Sequence, residues 1–254
     1  MPNPIAHPAA AIPFTKLKLV FSALLIGSIA PDLGYLVYGG ESHYMYTLRG
    51  LFLFDLPAGF ISLWLFDVLA KWPLLSLLPI GLQRRLYDPA RRFSFGPLKH
   101  FGVILLSLLV GSITHIAWDS FTHDNGWTVE HFSFFRTPIR GIPLYSILQN
   151  LSTFAGLALL IYWFGRWVPR ASRSLQVPAH FSSRVQGFCI ILIGLSLLLA
   201  VGLSIYERLF LGWYNRIVAL TFLMTFLFIS TYCLAWMIAF HKTIEKAASA
   251  AETE

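Results

Sequence analysis

Apolar stretches long enough to cross a lipid bilayer recur along this chain, and they limit its fold more than any other feature. Hydrophobic residues make up 56% of the sequence and charged residues only 12%, which is more apolar material than a soluble domain of this length needs. A hydrocarbon core requires about 20 consecutive apolar residues. The pattern therefore predicts an all-α, polytopic integral membrane bundle of about six transmembrane helices, near Leu19–Tyr38, Gly50–Leu69, Phe101–Phe121, Ser146–Phe164, Val185–Tyr206 and Ile217–Phe240.

Basic residues are divided unevenly between the two sides of this predicted topology. Loops rich in Lys and Arg face the cytoplasm, so we expect a multi-pass protein of the inner (cytoplasmic) membrane with both termini cytoplasmic. The net charge of +7 then reflects topology and contact with anionic membrane lipid. No nucleic-acid partner is expected, because the sequence has no basic patch interleaved with aromatic residues. The cytoplasmic side carries Lys16, Lys18, Lys71, Arg84, Arg85, Arg91, Arg92, Lys99, Arg166, Arg170, Arg173, Arg184, Lys242 and Lys246, against Arg49, Arg136, Arg140, Arg208 and Arg216 on the other side.

The polar residues that stand out from this apolar background all lie in the first two thirds of the chain. We expect one membrane domain overall. Residues 1–165 form a helical core that carries the candidate site, and residues 166–254 add two further transmembrane helices and a short cytoplasmic tail. The two cysteines, Cys189 and Cys233, fall in the middle of apolar stretches and indicate buried small side chains, with no disulfide framework.

The strongest functional candidate is the run His115-Ile-Ala-Trp-Asp119-Ser-Phe-Thr-His123, at the end of the third predicted span. Three potential metal ligands at every fourth position line one face of a helix. Ionisable residues in a membrane segment are energetically costly and indicate function by default. Asp32 and Asp55, from the first and second predicted spans, are expected at a similar depth in the outward half. This convergence favours a metal or proton-active site over polar side chains that only reach water or link neighbouring helices.

Helix geometry limits how the histidines of this run can share an ion. His115 and His123 are about 12 Å apart along an unbroken helix, too far for bonds of about 2 Å. The turn residues Asp124-Asn125-Gly126 predict that the helix stops nearby. Three arrangements stay open: His123 turns in from the last helical turn, two ions share Asp119, or His123 acts as an acid or base. A mixed His and carboxylate set suits a divalent metal such as zinc, iron or manganese better than calcium.

Two elements near the start of the chain complete the candidate set. Pro31 disfavours helix at Ala30 and frees backbone carbonyls, so Asp32 either caps a new half-helix or joins the site. His7 precedes the first predicted span, and a simple topology puts it on the cytoplasmic side, away from the cluster. A re-entrant helix over residues 5–14, with the first span split at Pro31, would bring His7 to the same site. The sequence leaves both positions open.

Short motifs over roughly residues 5–165 carry a family resemblance: His7-Pro-Ala-Ala with Ile12-Pro-Phe, Gly27-Ser-Ile-Ala-Pro-Asp32, Gly50-Leu-Phe-Leu-Phe-Asp-Leu-Pro57, Gly111-Ser-Ile-Thr-His-Ile-Ala-Trp-Asp-Ser-Phe-Thr-His123, Pro143-Leu-Tyr145 and Leu148-Gln-Asn-Leu-Ser152. They resemble a bacterial membrane-protein family, the domain-of-unknown-function 4184 family. That family is distantly similar to inner-membrane proteins labelled metal-dependent hydrolases, and through them to the all-α zinc phospholipase C group. There an N-terminal His, a Pro-Asp pair and an HxxxD pattern supply the ligands. The resemblance therefore implies His7, Asp32, His115 and Asp119 as ligands of a divalent metal such as zinc.

One position departs from the hydrolase pattern. Tyr46 stands directly before Thr47-Leu-Arg-Gly50, where the resemblance leads us to expect a His. His43, three residues earlier, is the nearest replacement.

Three functions are compatible with these residues. A metal-dependent hydrolase would act on a phosphate or carboxyl ester of a lipid-like substrate at the outer membrane face, with Asp55 or His123 as general base or as a partner that orients a ligand. A metal or proton transporter would also use intramembrane charges and a Pro-broken helix, but the sequence shows no repeat between its halves. In a structural or assembly protein, the same residues would only hold helices together.

Overall fold

The computed structural model describes residues 6–34, 43–206 and 225–240. The protein is 80% helical, as the hydropathy pattern predicts. Its contacts divide it into two units, one formed by Met1–Leu65 with Phe93–Ala171 and the other by Phe66–Arg92 with Ser172–Glu254. Every candidate site residue named above belongs to the first unit.

The start of the chain is a series of short helical pieces. Helix α1 covers Pro8–Ala11, a 3-10 turn follows at Ile12–Lys16, and helix α2 covers Phe21–Gly27. A second 3-10 turn, Ala30–Leu33, contains Pro31. The first predicted span, Leu19–Tyr38, is therefore interrupted within the described residues, and its last part lies outside them.

A 3-10 turn at His43–Tyr46 and the long helix α3, Leu48–Leu77, come next. Helix α3 belongs to the first unit up to Leu65 and to the second unit from Phe66 onwards. Thr47 caps α3, since its hydroxyl accepts a hydrogen bond from the Gly50 N–H. Two π-helical turns, Leu51–Asp55 and Phe66–Ala70, widen this helix. Such turns occur often at functional sites, and the first of them ends at Asp55.

Helix α4 (Ile80–Arg92), which follows in the chain, belongs to the second unit. The remaining elements of the first unit are helix α5 (Leu98–Thr122), the short helix α6 (Trp127–His131), a two-stranded hairpin and helix α7 (Leu144–Trp167). Strands β1 (Pro138–Ile139) and β2 (Ile142–Pro143) pair antiparallel, with Pro138 opposite Pro143. Arg140 and Gly141 turn this hairpin with φ of 52° and 84°. A primed turn of this kind suits a two-residue hairpin loop.

The second unit contains α4, helix α8 (Ser183–Tyr206) and helix α9 (Thr225–Phe240). Buried polar groups link its elements. The Ser76 and Tyr232 hydroxyls are 2.9 Å apart, and the side-chain amides of Gln83 and Gln186 both donate to the Ser76 carbonyl.

Within the described residues, three helical segments are long and apolar enough to cross a membrane: Leu48–Leu77, Leu98–His131 and Leu144–Arg170. They correspond to the second, third and fourth predicted spans. Two shorter apolar helices, Ser183–Ser196 and Thr225–Phe240, fall on the fifth and sixth, and residues 217–224 of the sixth lie outside the described residues. The helical membrane class predicted from the sequence is confirmed, and the count of six spans stays a prediction.

A close crossing of α2 and α5 forms the core of the first unit. A Cβ at Gly27 would lie 2.3 Å from the Leu108 carbonyl oxygen, and a Cβ at Gly111 would lie 2.4 Å from the Leu24 carbonyl oxygen. Only glycines allow two backbones to approach this closely, as in many membrane helix pairs. Next to the crossing lies an apolar cluster of buried side chains, formed by Ala23, Leu63, Ile104 and Leu108. The crossing holds the end of α2 against the second half of α5, where His115 and Asp119 lie.

Candidate metal centre

His115 and Asp119 form the centre of the cluster. They lie one turn apart on α5, and their side chains are 0% and 2% exposed. The His115 Nε2 is 3.1 Å from the Asp119 Oδ2. The helix runs unbroken to Thr122, so the shared face predicted from the i, i+4 spacing is present.

The backbone break after α2 supplies an anchor for His115. Pro31 has no N–H, so the Gly27 carbonyl lacks its usual helical donor and accepts the Ser112 hydroxyl at 3.1 Å. The Asp32 N–H bonds to the Ile29 carbonyl. The Ser28 carbonyl is then available to His115 Nδ1, 2.8 Å away.

This anchor determines which His115 nitrogen points into the cluster. A carbonyl can only accept a hydrogen bond, so Nδ1 carries the proton. Nε2 is then the ring nitrogen that faces Asp119 and Asp32, whose Oδ1 is 3.7 Å away. Histidines that bind metals usually have this arrangement, because a backbone or carboxylate oxygen orients the ring from behind.

His7 lies inside the cluster, against Asp119 and His115. Its Nε2 is 3.4 Å from the Asp119 Oδ1, and its ring stacks on that of His115 with centroids 3.8 Å apart. Burial, with the nearby His115, lowers the pKa of His7 to about 3. The ring is neutral at neutral pH and has a lone pair to offer. The structure thus groups His7 with His115 and Asp119.

His123 follows the end of α5, and its ring turns back towards Asp119. The helix ends at Thr122, and His123 has extended backbone, with φ −117° and ψ 146°. Its Nδ1 is 3.5 Å from the Asp119 Oδ1. The chain then folds back so closely on the end of α5 that a Cβ at Gly126 would lie 2.6 Å from the Ser120 carbonyl oxygen. Gly126 is therefore required here for a close approach.

Asp32 and Asp55 come from the two other elements, as the sequence predicts, but they hold different positions. Asp32 lies in the tight group itself, where the ligand atoms of His7, Asp32 and His115 are all within 4.8 Å of one another. Asp55 ends the first π-helical turn, which packs against the Ala30–Leu33 turn. It is 0% exposed and interacts electrostatically with His115. Asp55 thus lies beside the tight group.

Tyr46 is a site residue whose role the sequence did not predict. Its hydroxyl donates to the Asp119 Oδ2 at 3.2 Å, and its ring lies 6.4 Å from that of His115 and 6.3 Å from that of His123. The departure from the hydrolase motif was the available signal, since Tyr46 stands where a His was expected. The side chain of His43 is not described.

The donor set fits a divalent cation. Two ligands of one ion, each about 2.1 Å from it at the tetrahedral angle, are about 3.4 Å apart, close to the 3.1, 3.4 and 3.7 Å separations here. Within the described residues, His7 Nδ1, Asp32 Oδ2 and Asp119 Oδ1 are buried without a hydrogen-bond partner. Buried carboxylates are unfavourable by several kcal/mol unless a positive charge balances them. A divalent ion would supply that charge.

Comparison with known proteins gives a family and no function. No curated protein and no solved structure matches the chain. One family model, described as Domain of unknown function (DUF4184), matches residues 1–244. That match covers nearly the whole chain and all the cluster residues, so the protein belongs to the DUF4184 family.

Proposed function

We propose that this protein is an integral membrane, metal-dependent hydrolase that cleaves a phosphate or carboxyl ester of a lipid-like substrate. The observation that carries the proposal is the meeting of two imidazoles and two carboxylates from three separate segments in one buried, apolar setting. His7 comes from the N-terminal segment, Asp32 from the Ala30–Leu33 turn, and His115 and Asp119 from α5. Few other roles would require these four side chains to share one point inside a membrane protein.

These four side chains would hold the metal, and zinc suits their mixture of nitrogen and oxygen donors. A bound divalent ion supplies Lewis acidity and makes a water nucleophilic at neutral pH. The Ser28 carbonyl keeps the His115 ring in the required tautomer, and the Tyr46 hydroxyl holds one oxygen of Asp119. Both contacts hold the ligands in place before a substrate arrives.

Two further residues would move protons. His123 lies at the end of α5, 6% exposed, with Nδ1 3.5 Å from Asp119. That position suits a base that takes a proton from an attacking water and returns it to a leaving group. Asp55 lies beside the group on the α3 side and would serve as a second proton acceptor or orient a ligand from behind.

The charge pattern supports an orientation for this site. Arg84, Arg85, Arg91 and Arg92 follow the Leu48–Leu77 span, whereas only Arg136 and Arg140 lie between Leu98–His131 and Leu144–Arg170. By the positive-inside rule, the first group is cytoplasmic. We propose that both termini are cytoplasmic in the inner membrane and that the cluster, near the His123 end of α5, lies towards the outer face.

Metal content tests the proposal first. The protein is purified in detergent, and bound metals are measured by mass spectrometry for the wild type, His115→Ala and His100→Ala. His100 is the matched control, because it lies on the same helix and outside the cluster. We expect about one divalent ion per chain in the wild type and in His100→Ala, and its loss in His115→Ala. Phosphoesters and carboxyl esters are then screened with and without a chelator.

Two results would contradict the proposal. One is a well-folded wild type that binds no divalent ion. The other is a protein that binds the ion but shows no ion-dependent hydrolysis of any ester. A protonated His115 would also link Asp32 and Asp119 without a metal, as in the structural alternative. In that case His115→Ala would lower the thermal midpoint equally with and without added zinc.

A further inference from the structure

A groove of about 680 Å³ opens in the first unit between α1, α5 and α7. Its volume is in the range of small-molecule sites. Five residues of α5, between Thr114 and Thr122 at helical spacing, form one wall, and four residues of α7, between Leu148 and Ala155, form the other. Ala10 of α1 also lines it. Every lining side chain is uncharged.

The groove and the metal cluster share a border on α5. Residues 115 and 119 lie on one helix stripe, and residues 114, 117 and 121 lie on another, about 100–150° around the axis. Trp118 and Thr122 stand between the two. The Trp118 ring meets the His7 ring edge-on at 6.2 Å, and the Thr122 hydroxyl is 3.4 Å from the His123 Nδ1. A ligand in the groove would therefore end against Trp118 and Thr122, the two side chains that contact His7 and His123.

The surroundings of the groove indicate which kind of molecule it binds. Its two walls belong to two of the three segments that are long enough to cross a membrane, so the groove opens towards hydrocarbon. Phe121 and Leu151 at its edge are 45% and 62% exposed. Each wall spans about two helical turns, close to 10 Å, which is short for a partner helix and suits a flexible apolar chain.

We propose that this groove seats an acyl chain of the substrate and places its ester bond at the cluster. This inference rests on the proposed function, and it narrows the substrate class to acyl-bearing lipids. Trp118, Phe121 and Leu151 would then set which chain lengths are accepted.

Two alanines on α7 provide a matched test. Ala155 lines the groove, and Ala158, one turn further along, does not. Both are exposed, so Phe at either position fits without displacing a packed core. The variants Ala155→Phe and Ala158→Phe, with Leu151→Trp as a second way to fill the groove, are placed in lipid nanodiscs. Monodisperse elution establishes that each is folded.

The first readout does not depend on activity. A phosphatidylcholine with a photoactivatable diazirine near the middle of one acyl chain is irradiated in each nanodisc, and labelled positions are mapped by mass spectrometry. We expect labels enriched at residues 114–121 and 148–155 in the wild type and in Ala158→Phe, and reduced at least fivefold in Ala155→Phe and Leu151→Trp. Labels spread evenly along α7, or unchanged by the filled groove, would overturn the inference.

The second readout separates this inference from the proposed function. If esters are hydrolysed, Ala155→Phe should lower kcat/KM at least tenfold for dodecanoyl esters and leave acetyl esters unchanged, whereas Ala158→Phe should affect neither. An equal loss for both esters would overturn the acyl-chain assignment. Groove labelling without any hydrolysis would leave the acyl site standing and refute the hydrolase. Hydrolysis without groove labelling would do the reverse.

Discussion

Tyr46 links the turn before α3 to the cluster through one hydrogen bond, from its hydroxyl to the Asp119 Oδ2. A neutral phenol in this position holds one carboxylate oxygen and leaves the other, Oδ1, facing His7 and His123. A His at the same place could bind a metal directly. We infer that Tyr46 stands in place of a His that would bind the metal itself, and that Tyr46 instead orients the ligand Asp119.

Tyr46→Phe tests this role. Removal of the hydroxyl should weaken metal affinity by about tenfold or more, the usual effect of a lost partner behind a ligand, while the fold is retained. Affinity is measured by competition with a chromophoric chelator. Tyr44→Phe is the control, since Tyr44 is on the same turn with an exposed ring. Equal affinity in all three proteins would show that Tyr46 does not act on Asp119.

Mutation of the two aspartates outside α5, Asp32 and Asp55, should have different effects on metal binding and hydrolysis. Asp32→Asn should lose the metal, because Asp32 belongs to the tight group with His7 and His115. Asp55→Asn should keep the metal and lose hydrolysis by about 100-fold, the lower end of what a general base contributes. Metal content and ester hydrolysis are measured on both variants. If Asp55→Asn also loses the metal, Asp55 binds the metal or orients one of its ligands and does not act only as a proton acceptor.

At the residue scale, spacing predicted the His115–Asp119 pair and the distance argument anticipated how His123 turns in. The sequence could not place His7, because hydropathy records which segments prefer lipid and not where a short segment folds back. It also could not reveal the Ser28 carbonyl as an anchor, although Pro31 indicated that carbonyls nearby lack helical donors.

The crossing of α2 and α5 is the element that aligns the site. Gly27 and Gly111 bring the two backbones into contact, and the same contact brings the Ser28 carbonyl to His115. Packing at this point thus controls the orientation of a ligand one turn away. Hydropathy gives one apolar span here and Pro31 indicated a break within it, but neither reveals the close crossing at which α2 ends, at Gly27.

Gly111→Ala should therefore disturb both stability and metal binding. A Cβ there would lie 2.4 Å from the Leu24 carbonyl oxygen and 2.7 Å from the Ser28 N–H nitrogen, so α2 must move. Overpacking of this kind typically costs about 1–3 kcal/mol. Thermal unfolding and metal content give the readouts.

Gly102→Ala is the matched control on the same helix. A Cβ at Gly102 has no neighbour within 4 Å, and alanine favours helix by up to about 1 kcal/mol over glycine. The control should keep its metal and be as stable as the wild type or slightly more stable. Equal destabilisation of both variants would contradict the role of the crossing.

For the whole molecule, the sequence predicted the helical class of the fold, since apolar length alone identifies the segments Leu48–Leu77, Leu98–His131 and Leu144–Arg170. The first predicted span was different, because polar and small residues there serve the site. The family match over residues 1–244 adds identity without activity.

The proposed orientation gives a direct labelling test. Cys189 and Cys233 are replaced by Ser, and a single cysteine is placed at Ser94 or Ser133, both of which are exposed. Ser133→Cys should react in intact cells with a thiol reagent that cannot cross membranes, because it lies between two spans on the outer side. Ser94→Cys should react only after the membrane is opened. The reverse pattern would place the cluster near the cytoplasm.

Helix α5 carries the ligand stripe and the groove stripe side by side, and this constrains how the family can diverge. A substitution on the groove stripe changes the shape offered to a chain and leaves His115 and Asp119 in place. Insertion or deletion of one residue between Gly111 and Asp119 would rotate everything beyond it by about 100° and move Asp119 away from the cluster. Relatives should therefore vary freely in the bulk of positions 114, 117, 118 and 121, while the number of residues from Gly111 to Asp119 stays constant.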